Sequence, residues 1–101
     1  MVEKINTDQF EKKVLQNPKT VLVDFYADWC MPCRMVSPLL EEIAAEHEDA
    51  EVYKINVDQN GEIAAKYDIM SIPNIISFRG GLVYKRAIGV QPKHIFEELL
   101  V

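Results

Sequence analysis

The chain has little of what would direct it to a membrane, a nucleic acid or the outside of a cell. Nowhere do about 18 apolar residues run together, the length a membrane-spanning helix requires. The opening Met1-Val2-Glu3-Lys4-Ile5-Asn6-Thr7-Asp8 puts charges where a secretory leader keeps an unbroken apolar stretch. No stripe of Lys and Arg is available to neutralise phosphates, and the formal charge is −5, which argues against nucleic acid as a partner. Gly (4) and Pro (5) are too few for a linker-rich chain, and no repeat or low-complexity tract interrupts the sequence. Cysteine is nearly absent as well. Small exported domains spread several disulfides along the chain, whereas here the two thiols share one motif. The expectation is a soluble protein of the reducing cytoplasm, without membrane contact.

What is present reads as one domain over residues 1–101. With 49% apolar and 27% charged residues, a chain this long should bury roughly 60–70% of its unfolded surface. Thr7 or Asp8 can cap a helix running to about Asn17, stopped by Pro18, with Phe10, Val14 and Leu15 as its apolar stripe. Thr20 to Tyr26 is apolar on both alternating faces except at Asp24, the pattern of a central strand covered on two sides. From Pro32, the positions Val36, Leu39, Leu40, Ile43 and Ala44 mark an amphipathic helix, which Pro38 inside it should kink. Val52 to Val57 follows as a second interior strand, then a short helix from about Asn60 to Tyr67. Ile75–Phe78 and Leu82–Ile88 flank Gly80-Gly81, which predicts an antiparallel hairpin. Pro92 opens a last helix through Leu100. The order is mixed α/β.

Cys30 and Cys33 lie in Trp29-Cys30-Met31-Pro32-Cys33, between the strand and the amphipathic helix. A bare C-x-x-C also serves zinc, so its flanks carry the inference. If Cys30 is the cap and Cys33 lies in the first turn, a disulfide can form with little backbone movement. Pro32 suits that first turn, because its missing N–H is one a helix start leaves unpaired. Orphan N–H groups and the helix dipole favour a thiolate at Cys30, and Cys33, one turn in, should be more shielded. Lowering a thiol pKa by about 1.5 units raises its thiolate fraction at neutral pH roughly 15-fold, but lost nucleophilicity returns about a factor of five. Orientation must supply the rest. Zinc is disfavoured by distance: His47 lies roughly 21 Å along the same helix at about 1.5 Å per residue, and His94 opens the last helix among polar neighbours. No metal ligand set is expected.

The strand, the Trp-Cys-x-Pro-Cys run, the helix with its internal proline, and Ser71-Ile72-Pro73 before a strand together resemble the thioredoxin family. Asp24, Pro38, Lys54, Pro73, Gly80 or Gly81 and Gly89 occur in the family order, and the likeness spans essentially the whole chain. It implies a thioredoxin-like three-layer sandwich, with a central mixed sheet of about five strands flanked by four helices. It implies a protein disulfide reductase in which Cys30 attacks a target disulfide and Cys33 resolves the mixed disulfide. Asp24 would accept the proton of Cys33, with Lys54 on the adjacent strand as its charge partner. Burial of that carboxylate inside an apolar strand would raise its pKa toward that of a working base. Ile72-Pro73 would be cis and face the dithiol, exposing the Ile72 backbone to an extended target segment. Trp29, Met31, Pro32, Ile72, Pro73, Gly89 and Val90 would form an apolar rim, while Met70 is expected to pack inside.

The resemblance further implies protein disulfide substrates, a flavin- or ferredoxin-linked thioredoxin reductase, no bound cofactor, and a monomer. This sequence departs from the family at Met31, where many members carry glycine, at Tyr26 for tryptophan, Asn74 for threonine and Arg34 for lysine. Met31 adds a flexible apolar group beside the sulfurs, where about 1.4 kcal/mol corresponds to 30 mV of potential. Two other readings stand beside this one. An oxidase or isomerase on the same fold is opposed by the lack of an export signal and of histidine between the cysteines. A binding module that lends only its apolar rim would keep its partner after both cysteines became serine.

Overall fold

The computed structural model describes residues 1–101. A two-residue strand, β1 (Glu3–Lys4), leads into α1 (Thr7–Phe10), which continues as a π-helical turn over Glu11–Leu15. Then come β2 (Thr20–Tyr26), α2 (Met31–Glu46), β3 (Ala50–Asn56), α3 (Gly61–Lys66), β4 (Asn74–Arg79), β5 (Leu82–Ile88) and α4 (Lys93–Glu97), ending in a 3-10 turn over Glu98–Leu100. The sheet order is β1-β3-β2-β4-β5. β1, β3 and β2 run parallel, β4 runs antiparallel to β2, and β5 runs antiparallel to β4, so the sheet is mixed.

Period-two alternation along the strands divides the core into two layers. Val21, Val23 and Phe25 of β2 meet Phe10 and Val14 on one face, joined by Ile63 of α3 and by Ile76 and Phe78 of β4. Leu22 points the other way, into a layer with Val36, Leu40 and Ile43 of α2 and Phe96 and Leu99 at the carboxy-terminal end. Helices therefore cover both faces, and β2, paired on both sides, is buried as its apolar run predicts. The alternation sets Asp24 on the Leu22 face, beneath α2.

Several local expectations change. The first helix is capped by Asn6, not by Thr7 or Asp8: its side chain accepts from the Gln9 N–H, and the Gln9 side chain accepts from the Asn6 N–H. β1 carries no apolar run and exists through its pairing with β3. β3 starts at Ala50, two residues before the apolar run, because Thr20 and Val21 of β2 supply partners there. α2 continues unbroken across Pro38, which can offer no N–H to the Arg34 carbonyl. Gly80 and Gly81 both have positive φ, as a tight hairpin turn requires.

Candidate active site

The chain leaves the centre of the sheet at Tyr26 and turns through Ala27 to Trp29, and Cys30 caps α2. The Cys30 backbone is extended, with φ −84° and ψ 104°, and its sulfur accepts the Cys33 N–H at 3.2 Å. Pro32 occupies the first turn. Cys30 and Cys33 are joined as a disulfide with their Cα atoms 5.3 Å apart. The expected difference in shielding is not found: both cysteines are 3% exposed. Cys30 is tucked against Ala27 and the half-buried Ile72, so its place at the cap does not open it to solvent.

What separates the two cysteines is the space each one meets. Cys30 lines an apolar groove of about 360 Å³ with Trp29, Pro32, Val57, Met70 and Ile72. Cys33 lines a polar cavity of about 360 Å³ on the other side, with Asp24, Tyr26, Arg34, Ser37 and Lys54. One disulfide thus borders an apolar groove on one side and, on the other, a cavity lined mostly by charged and polar side chains.

Asp24 is 4% exposed, and its Oδ1 has no hydrogen-bond partner in the protein. Burial pushes its carboxyl up to about 7, with the nearby positive charge of Lys54 acting in the opposite direction. Lys54 stands directly across from Asp24 in the β2–β3 register. It makes no close ion pair there; its ammonium lies over the Tyr26 ring, 5.6 Å from the centroid.

On the groove side, Trp29 is 71% exposed yet held in place, its Nε1 donating to Asp58 Oδ2 at 2.9 Å. Ile72-Pro73 is cis. Neither the N–H nor the C=O of Ile72 is hydrogen-bonded within the chain, whereas the Pro73 carbonyl accepts the Gly89 N–H at 2.8 Å. Of the expected rim, Trp29, Pro32 and Ile72 line the groove with Cys30, while Met31, Pro73, Gly89 and Val90 do not. Pro73 is buried, and Met31 and Val90 project into solvent. Met70 corrects the expectation that it packs inside: it is 91% exposed and lines the groove. Its neighbour Ile69 takes the core position against the α1 layer and so turns Met70 outward.

Comparison with known proteins agrees with this geometry. The family model described as thioredoxin matches residues 1–100. A thioredoxin of Alicyclobacillus acidocaldarius is 50% identical over 95 residues, covering 93% of this chain and 90% of its own length. One from Streptomyces clavuligerus is 45% identical over 93 residues, covering 92% and 87%, and one from Staphylococcus aureus is 43% identical over 100 residues, covering 98% and 94%. The chain belongs to the thioredoxin family.

As a thioredoxin-family protein it is a thiol–disulfide oxidoreductase, a reductase of protein disulfides, with target disulfides and a reductase as partners. No helix is long and apolar enough to cross a membrane. The departures from the family have identifiable places. Tyr26 supplies the ring beneath Lys54, and Arg34 donates to the Asp28 carbonyl at 2.8 Å. Asn74 is buried with its Oδ1 unpartnered. Sequence reasoning missed Asp58, Ser37 and the groove position of Met70. Ser37 alone carried a readable signal, standing four residues beyond Cys33 on one helix face. Asp58 reaches Trp29 only through the β3–α3 turn, where the Asn56 side chain accepts from the N–H groups of Asp58 and Gln59.

Proposed function

We propose that residues 1–101 act as one domain, and as a monomer, in which Cys30 attacks and Cys33 resolves. The observation that supports this assignment is the division of environments: Cys30 borders the apolar groove and Cys33 the polar cavity that holds Asp24. After reduction, the Cys33 N–H directed at the Cys30 sulfur favours a thiolate there. That thiolate attacks one sulfur of a target disulfide lying along the groove. The target S–S bond breaks and a mixed disulfide forms. Cys33 then gives its proton to Asp24 and attacks the Cys30 sulfur, releasing the second target thiolate and closing the Cys30–Cys33 disulfide. Two electrons pass to the target, and a flavin- or ferredoxin-linked reductase returns them.

Asp24 suits its role because a group titrating at about 7 is a usable acceptor at neutral pH. Lys54 keeps burial from carrying that value higher. The unpaired Ile72 backbone offers one N–H and one C=O to an extended target segment, a short added strand beside the sulfurs. Trp29, Pro32 and Ile72 line the approach beside Cys30, and Met31, Pro73, Gly89 and Val90 would meet the target only beyond the groove itself. A reducing cytoplasm is the compartment in which this direction of transfer operates.

The test is a pair of variants. Cys30→Ser should abolish reduction of a model disulfide protein, and Cys33→Ser should accumulate a mixed disulfide on Cys30, visible by non-reducing electrophoresis and mass spectrometry. Wild-type turnover by Cys30→Ser would show that the attacker is misassigned.

A further inference from the structure

Ser37 lies one helical turn beyond Cys33 on α2 and lines the cavity shared by Cys33 and Asp24. Residues four apart on a helix stand on one face, with Cβ atoms about 5–6 Å apart. A serine within a helix can spend its hydroxyl on the carbonyl four residues earlier. Ser37 makes no such bond, nor any other hydrogen bond through its side chain. The Asp24 Oδ1 is likewise unpartnered. A hydroxyl that can both donate and accept, and a carboxyl oxygen with a vacant lone pair, therefore border one space with the resolving sulfur.

The other titratable groups around this space are engaged elsewhere or distant in role. Lys54, from β3, lies over the Tyr26 ring, and Arg34, from α2, is bonded to the Asp28 carbonyl. Asp28 stands exposed in the turn before α2. Neither cation claims the Ser37 hydroxyl.

We propose that Ser37 is a catalytic residue of the resolving step, its hydroxyl handing the Cys33 proton to Asp24 directly or across one water. The inference rests on Asp24 being the proton acceptor. In the step, the Cys33 S–H proton passes to the Ser37 oxygen as the hydroxyl proton moves to the Asp24 carboxylate. The Cys33 sulfur bonds to the Cys30 sulfur, the Cys30–target bond breaks, and the target thiolate departs with the electron pair. The hydroxyl is regenerated and no external oxidant or reductant is consumed. With alanine at this position, Asp24 would depend on water alone.

The test follows release of an aromatic thiolate from a mixed disulfide on Cys30, formed in acid and resolved after a jump to a series of higher pH values. Wild type is compared with Ser37→Ala, Ser37→Thr, Asp24→Asn and the Ser37→Ala/Asp24→Asn double variant, each checked for fold by circular dichroism. Ser37→Ala should slow release about tenfold near neutral pH, the scale of one lost hydrogen bond to a charged group. The deficit should fade in alkali, where Cys33 ionises unaided. Ser37→Thr, which keeps the hydroxyl, should recover most of the rate, and the double variant should be no slower than Asp24→Asn. If Asp24→Asn is slow while Ser37→Ala keeps the wild-type pH profile, or if Ser37→Thr is as slow as Ser37→Ala, the relay is overturned and the Asp24 reading survives. Unchanged release in Asp24→Asn overturns both.

Discussion

Asp24 and Lys54 face each other across the β2–β3 register and border the same cavity, yet they do not close into an ion pair. The lysine acts on the carboxyl through space, opposing the larger effect of burial. Replacing Lys54 with methionine removes that opposition while keeping an unbranched side chain of nearly the same length. The Asp24 carboxyl should then titrate above its present value of about 7, and the pH profile of the resolving step should move to the alkaline side. A carboxyl-region NMR titration of the oxidised protein checks this directly. An acid-side movement would mean that Lys54 influences the site in another way.

Asp24 also ties stability to pH. Its carboxyl ionises near 3.8 when unfolded and at about 7 when folded. Above about pH 4 the unfolded chain gives up this proton first, so stability falls as pH rises and the loss is complete once pH passes the folded value. A difference of about three units corresponds to about 4 kcal/mol. Asp24→Asn should therefore unfold at higher urea concentration than wild type in mild alkali and match it in acid below the unfolded value. An equal gain in both would point to packing instead of charge.

Trp29 is the only tryptophan, so its emission reports on the groove alone. Removing its hydrogen-bond partner with Asp58→Ala should lower tryptophan anisotropy while shifting stability by no more than about 1 kcal/mol, since both groups are solvated. Reduction of protein targets should slow. A large loss of melting temperature would show Asp58 to be a structural support of the β3–α3 turn.

The hairpin glycines are not equivalent. A Cβ on Gly81 would sit 2.9 Å from the Leu15 carbonyl oxygen at a φ of +80°, whereas one on Gly80, at +57°, meets open space. Gly80→Ala should cost about 1 kcal/mol, and Gly81→Ala at least about twice that, because conformational strain and a backbone clash combine. Thermal unfolding of the two variants would rank them, and equal costs would mean that the π turn at Leu15 yields to the added methyl.

Much of the architecture was legible because it is written locally. The run Thr20 to Tyr26 and the hairpin around Gly80-Gly81 carry their own periodicity and turn chemistry, and both appear where they were expected. Cys30 at the cap follows from adjacent residues in the same way. What depends on distant partners was not legible. β1 is drawn into the sheet by β3, and the end of α1 widens into a π turn without a sequence signal. Within the site, the meeting of Trp29 with Asp58 and the outward turn of Met70 are decided by loops that bring separate segments together. Asn6 was legible in principle, because the Asn6–Gln9 spacing is a capping box, but Thr7 and Asp8 are competing caps beside it.

β2 is hydrogen-bonded along both edges, and its last residue stands four positions before Cys30. Backbone amides in such a strand take up deuterium only when much of the domain opens. Chemistry at the sulfurs is therefore carried on the end of a nearly immobile beam, so repeated cycles can alter bonds and charge without disturbing the scaffold that aims them.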